Sequence, residues 1–254
     1  MPKPFHAFAV LASLAVFATG CAEYTITAPV STASPRLSSR PVEFVTPSIG
    51  AGLHRFTRKS TKIVAYVPAK ALSSRSIAVN LLLHGSARDV EQLMQAHIPY
   101  ADSAGVVILA PYAASGTWDA INTTFGPDVV GIDVALSWLF DVLPVNPARI
   151  AITGFSDGAT YSLAVGRANG DLFSRIVAYS PGFIIDVEPV GNPPIAISHG
   201  THDAELSYEK TRDQIVPTLK DDGYGVDFRT FDGPHWILPE LIEETLSKLG
   251  GTDR

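Results

Sequence analysis

Three residues whose types could do chemistry together stand in the order Ser156, Asp203, His235, each just after a run of strand-forming residues. A serine hydroxyl is a poor nucleophile at neutral pH, so it needs a base within hydrogen-bond reach and a carboxylate to orient that base. Ser156 is the centre of Gly154-Phe155-Ser156-Asp157-Gly158, which fits G-x-S-x-G. In that pattern the serine sits on a strained turn from strand to helix, and the flanking glycines keep Cβ atoms out of the tight packing. Ser156 is thus the candidate nucleophile, His235 the base that must be neutral to take its proton, and Asp203 the residue that orients the base. Asp203 also reads as a helix cap, and His235 as a histidine packed beside Trp236. Asp186 and Glu205 are the competing carboxylates.

These residues need a scaffold that brings strand ends together. Gly52 to Arg58 and Lys62 to Pro68 read as an opening strand pair divided by a polar turn. Ile77 to Leu83 is apolar apart from Asn80, as expected of a strand covered on both faces. A helix is predicted from near Asp89 with Leu93, Met94 and His97 on one face, then a buried strand from Val106 to Ala110. A loop with Trp118, Asp119 and Asn122 follows, and Asp128 is expected to cap an apolar helix that feeds the nucleophile strand at Ile150. After a helix over Ala159 to Ala168 come strands at Arg175 to Tyr179, Ile195 to Ser198 and Gly225 to Phe231. A helix from Tyr208 to Lys220 should kink at Pro217, and Leu238, Leu241, Ile242, Leu246 and Leu249 mark a closing amphipathic helix. Strands alternating with helices imply right-handed parallel crossovers.

The chain has 254 residues, of which 46% are hydrophobic and 17% charged, which accommodates one sizeable α/β domain and a short leader. A net charge of −6 with scattered Lys and Arg argues against a nucleic-acid partner. The single cysteine, Cys21, excludes an intrachain disulfide and a thiol metal site. His97, His199 and His202 lack a ligand spacing such as H-E-x-x-H, so neither a metal nor a cofactor is expected. Residues 1–21 read as a secretory signal, with a basic start at Lys3 and an apolar run too short to span a bilayer. Small residues before Cys21 resemble a lipobox, in which Cys21 is lipidated and anchors the protein; Ala18 stands where leucine is usual, and ordinary signal cleavage leaves a secreted form instead. Residues 22–48 are rich in Ser, Thr and Pro and are expected to form a flexible tether, with the catalytic domain at 49–254.

The segments Leu83-His84-Gly85-Ser86, Gly154-Phe155-Ser156-Asp157-Gly158, His199-Gly200-Thr201-His202-Asp203 and Gly233-Pro234-His235 resemble those of α/β-hydrolase serine esterases, closest to the carboxylesterase/phospholipase and polyhydroxyalkanoate-depolymerase-like branch. The resemblance implies a three-layer α/β-hydrolase fold, a mostly parallel twisted sheet with helices on both faces, and the order Ser, Asp, His. It also implies an oxyanion hole formed by the backbone N–H groups of Asp157 and Ser86 and a pocket lined by Trp118, which reads equally as a loop tryptophan packed on the core; His84 reads as a structural residue holding the oxyanion loop. No stretch between strands is long enough for a substantial cap domain, so an open cleft for short-chain, aryl or oligomeric polyester substrates is expected. A serine peptidase of the same fold and a non-catalytic cell-envelope binding protein are the alternatives. The substrate and the oligomeric state do not follow from the sequence.

Overall fold

The computed structural model describes residues 34–86 and 89–251. The expected signal and Cys21 lie outside the described residues. Eight strands, β1 (Gly52–Arg58), β2 (Thr61–Val67), β3 (Ile77–Leu83), β4 (Val106–Pro111), β5 (Val145–Phe155), β6 (Arg175–Tyr179), β7 (Ile195–Gly200) and β8 (Val226–Phe231), form one sheet in the order β1-β2-β4-β3-β5-β6-β7-β8. The first two strands pair antiparallel, β2 pairs antiparallel with β4, and every other neighbour is parallel.

The helices are α1 (Ala69–Leu72), α2 (Val90–Ala104), α3 (Asp119–Asn122), α4 (Pro127–Val142), α5 (Asp157–Ala168), α6 (Tyr208–Lys210), α7 (Val216–Asp221) and α8 (Pro239–Gly250). Alternation along the strands sorts the core into two slabs. Ile77, Val79, Leu81 and Leu83 of β3 join residues of α4, α5 and α7 on one face. Ala78 and Leu82 join Val90, Met94, Ile242, Leu246 and Leu249 of α2 and α8 on the other. This is the three-layer α/β-hydrolase architecture, and no connection carries an added cap domain.

Three local expectations change. Part of the stretch expected to be a tether, residues 35–40, is docked. Leu37 is 3% exposed, its N–H donates to Asn169 Oδ1 at 2.8 Å, and Asn169 Nδ2 donates to Pro35 O at 2.8 Å. Arg36 and Arg40 pair with Asp171, and the N–H groups of Ser38 and Ser39 donate to Asp133 Oδ1. One buried leucine and a few polar contacts hold this segment, a pattern that composition does not reveal.

The residue preceding α4 is Gly126, not Asp128. Asp128 is 3% exposed, and its carboxylate accepts the N–H groups of Ala114 and Asp119 at 2.6 and 2.7 Å. It therefore ties the 114–119 loop to α4 instead of capping that helix.

The helix expected from Tyr208 to Lys220 is interrupted by a π-helical turn over Thr211–Ile215 between α6 and α7. Pro217, which has no backbone N–H to donate, follows closely on that π-helical turn.

Candidate active site

The nucleophile candidate is set by backbone geometry. Ser156 has φ 58° and ψ −123° between β5 and α5, a conformation that costs an L-residue roughly 1–3 kcal/mol. Its surroundings hold it there: its N–H donates to Tyr179 O at 2.9 Å, and its carbonyl accepts from Ala159 and Thr160 at 2.9 and 3.1 Å. A Cβ on Gly158 would stand 2.3 Å from Leu83 O and 2.4 Å from His84 O, so only glycine permits this crossing of α5 and β3.

Asp203 and His235 come together where β7 and β8 end. The ladder continues past both strands, with Thr201 N–H donating to Phe231 O at 2.9 Å and His202 N–H to Gly233 O at 3.0 Å. Gly200 makes the approach feasible, because a Cβ there would lie 2.3 Å from Pro234 O. His235 Nδ1–H then donates to Asp203 Oδ2 at 2.6 Å. The other carboxylate oxygen, Oδ1, accepts the N–H groups of Glu205 and Leu206, both at 2.9 Å. Burial works to raise the Asp203 pKa, but the two backbone donors and His235 outweigh it and hold the carboxyl below its usual range.

The imidazole of His235 packs on Phe155, the residue before the serine, with ring centroids 4.6 Å apart. Its side chain is 7% exposed. Nε2 has no hydrogen-bond partner among the described residues and lies 4.0 Å from Glu205 Oε2. Ser156 and His235 line one cleft of about 320 Å³, with Leu93, Ile237 and Ile242 supplying apolar walls. The ring that carries Nε2, the nitrogen that would take a serine proton, thus lines the same cleft as Ser156. Asp203 meets His235 directly, whereas Glu205 stands at the cleft edge with its side chain 73% exposed.

The predicted oxyanion loop runs beside the serine. A Cβ on Gly85 would be 3.2 Å from Ser156 Cβ, and Ser86 lines the cleft. His84 shapes this loop: Nδ1–H donates to Gly85 O at 2.6 Å, and Nε2 accepts the Ala113 N–H at 2.9 Å. Both ring nitrogens are thereby engaged in structure. Asp157 is the first residue of α5, where N–H groups lack intrahelical acceptors, and its carboxylate accepts from Thr117 Oγ1 at 2.6 Å.

Of its two readings, Trp118 takes the packed one and not the place in the pocket lining. It is 1% exposed, is not among the cleft-lining residues, and donates its indole N–H to His84 O at 2.7 Å. It stacks on Tyr161 with centroids 5.1 Å apart. The ring therefore supports the loop after β3 from behind. Phe155 and Trp236, the latter 56% exposed, do line the cleft. The position of Trp236 next to His235 was the available signal.

Sequence reading also missed the acidic frame behind this loop. Asp119 Oδ1 accepts from Tyr161 OH at 2.8 Å and Asp119 Oδ2 accepts the Asp128 N–H at 3.0 Å. Burial, reinforced by Asp119, pushes the Tyr161 phenol far above its usual pKa.

No protein-family model matches the chain, and no curated protein matches it. Solved structures do. The chain superposes on esterase PE8 with a TM-score of 0.60 at 20% identity, covering 78% of this chain and 98% of that one. A thermostable esterase matches with a TM-score of 0.62 at 19% identity, over 77% of this chain and 60% of that chain. A phospholipase/carboxylesterase from Dyadobacter fermentans matches with a TM-score of 0.52 at 22% identity, over 75% and 98%. The chain has the α/β-hydrolase fold. At these identities the likeness concerns the fold, and chemistry must be argued from the site.

Proposed function

We propose that the protein is a serine-dependent carboxylic ester hydrolase that works through an acyl-enzyme. The observation that carries this reading is the His235–Asp203 pair at 2.6 Å, with the His235 ring lining the cleft that also holds the strained Ser156.

In the first step His235 Nε2 takes the Ser156 hydroxyl proton while Oγ bonds to the ester carbonyl carbon. The tetrahedral intermediate collapses, the C–O bond to the alcohol breaks, and His235 returns its proton to the leaving oxygen. Water repeats the sequence, releasing the acid and restoring Ser156. Asp203 stabilises the imidazolium formed each time. The backbone N–H groups of Asp157 and Ser86 are the oxyanion donors in this proposal, each worth about 3 kcal/mol to a developing oxyanion. The position of Gly85 against Ser156 supports that assignment. The open cleft with walls from Leu93, Ile237 and Ile242 suits short acyl or aryl esters, or the end of a polyester chain.

Location is part of the proposal. Cys21 is the lipidation site of an exported, envelope-anchored form, supported by the lipobox-like residues before it.

The test is fluorophosphonate labelling together with a panel of p-nitrophenyl esters from C2 to C12. Wild-type protein should label at Ser156 and hydrolyse the short esters. Absence of both would exclude an activated serine and leave the scaffold as a binding protein.

A further inference from the structure

His199, at the end of β7, is buried with its side chain fully enclosed. The reaction above assigns it no part. Its Nε2 lies 3.0 Å from Asp203 Oδ2 and 3.0 Å from Leu206 O. Both neighbours are acceptors, so Nε2 must carry the hydrogen. Its Nδ1 is buried without a partner. A second proton would have to sit on Nδ1, which has no acceptor among the described residues, and burial pushes the pKa of the ring down.

We propose that His199 is a positioning residue for the Ser156 site: its neutral Nε2–H, bonded to Leu206 O, also lies against Asp203 Oδ2 and shares its hydrogen with the carboxylate that orients His235. This inference rests on the reading of the site as a serine hydrolase.

The geometry explains why a second imidazole is useful. Oδ1 already holds two backbone donors, and Oδ2 holds His235 at 2.6 Å and His199 at 3.0 Å. Three donors and this shared contact surround the carboxylate, so turning about its Cβ–Cγ bond would loosen several bonds together. His199 thus restrains the oxygen that meets His235. It also draws charge from that oxygen, tempering its pull on the imidazolium. The other titratable groups nearby are Glu205 at the cleft edge, 4.0 Å from His235 Nε2, and Tyr208, whose ring centroid is 6.2 Å from that of His199.

The test compares wild type with His199→Leu, which removes the donor, and His199→Gln, whose side-chain amide reaches to a similar place. In wild type, ¹⁵N shifts should show the His199 ring protonated on Nε2 alone from pH 5 to 9. His199→Leu should lower kcat by about tenfold, as loss of an orienting partner does elsewhere, with KM unchanged. The acidic limb of kcat/KM should move to higher pH by roughly half a unit, because the carboxylate left with one imidazole donor holds the charged form of His235 more strongly. His199→Gln should restore most of kcat and return the limb towards wild type. A wild-type ring protonated on Nδ1 would overturn the proposal. So would equal losses of kcat in both variants with an unmoved acidic limb, the result expected of a purely structural histidine. If His199→Leu does not fold, the tautomer and the His199→Gln profile decide. Failure of the serine-hydrolase reading itself would appear in wild type as absent fluorophosphonate uptake, which neither variant imitates because both retain Ser156 and His235.

Discussion

Gly154 and Gly158 face each other so closely that a Cβ on Gly154 would lie 2.0 Å from the Gly158 carbonyl oxygen. That contact closes the turn that raises Ser156, and it involves backbone on both sides, so no side-chain rotation can relieve an added methyl. Gly154→Ala should therefore fold poorly or move the serine. The expected result is a large fall in fluorophosphonate labelling together with a lower Tm, whereas Gly116→Ala, in open space, should change neither.

If Ser156 and His235 act as one unit, Ser156→Ala and His235→Ala should each lower kcat by orders of magnitude, and the double variant should be little worse than either. Asp203→Asn should cost less, since it leaves the base present but misdirected. Additive losses in steady-state kinetics would break the unit apart. Full activity in Asp203→Asn alongside an inactive Glu205→Gln would transfer the orienting role to Glu205.

The two tryptophans should separate cleanly. Trp118→Phe keeps a ring against Tyr161 but removes the donor to His84 O, so stability should fall by about 1–3 kcal/mol with the ranking of ester substrates unchanged. Trp236→Ala should leave Tm near wild type and alter the ranking, because this ring reaches the cleft. A changed ranking only in the Trp118 variant would reverse these roles.

His97 makes stability depend on pH. Burial, opposed by its bond to Leu93 O, lowers its pKa to about 4. The unfolded chain, with a histidine near pH 6.5, then takes up the proton first as pH falls. Stability contributed by the neutral ring is complete above about 6.5 and is lost towards 4, by an amount of about 3 kcal/mol. Denaturant melts from pH 7 to 4 should show this slope, and His97→Phe should flatten it.

Anchoring through Cys21 predicts that wild-type protein partitions into detergent after export and that Cys21→Ser releases it. An unmodified mature N-terminus by intact mass would rule the anchor out.

Much of this arrangement was legible because an α/β sheet places chemistry at strand ends. Ser156 and Asp203 follow apolar runs and His235 an alternating one, each of which could be bounded by eye, and Gly154 and Gly158 announced the turn. What stayed hidden depends on contacts between distant segments. Asp128 looks like a helix cap until the 114–119 loop folds onto it. Leu37 is one apolar residue in a polar stretch, and nothing local says that Asn169 will receive its N–H. Trp118 sits in a loop, where exposure is the ordinary expectation, yet His84 O draws it inward. The donor role of His199 depends on which acceptors the following turn brings back to it.

His235 follows β8, and β8 is the last strand of the sheet, paired on one side only. Most of its residues are partly or fully exposed. Edge strands of this kind open at lower free energy than a buried centre. Detachment of this one ribbon would carry the base away from Asp203 while β3, β5 and their glycine-locked turn remained folded. Heat inactivation should thus begin as a local and reversible event below the global melting temperature, and cross-linking β8 to β7 would be a direct way to lengthen the working life of the protein without touching its core.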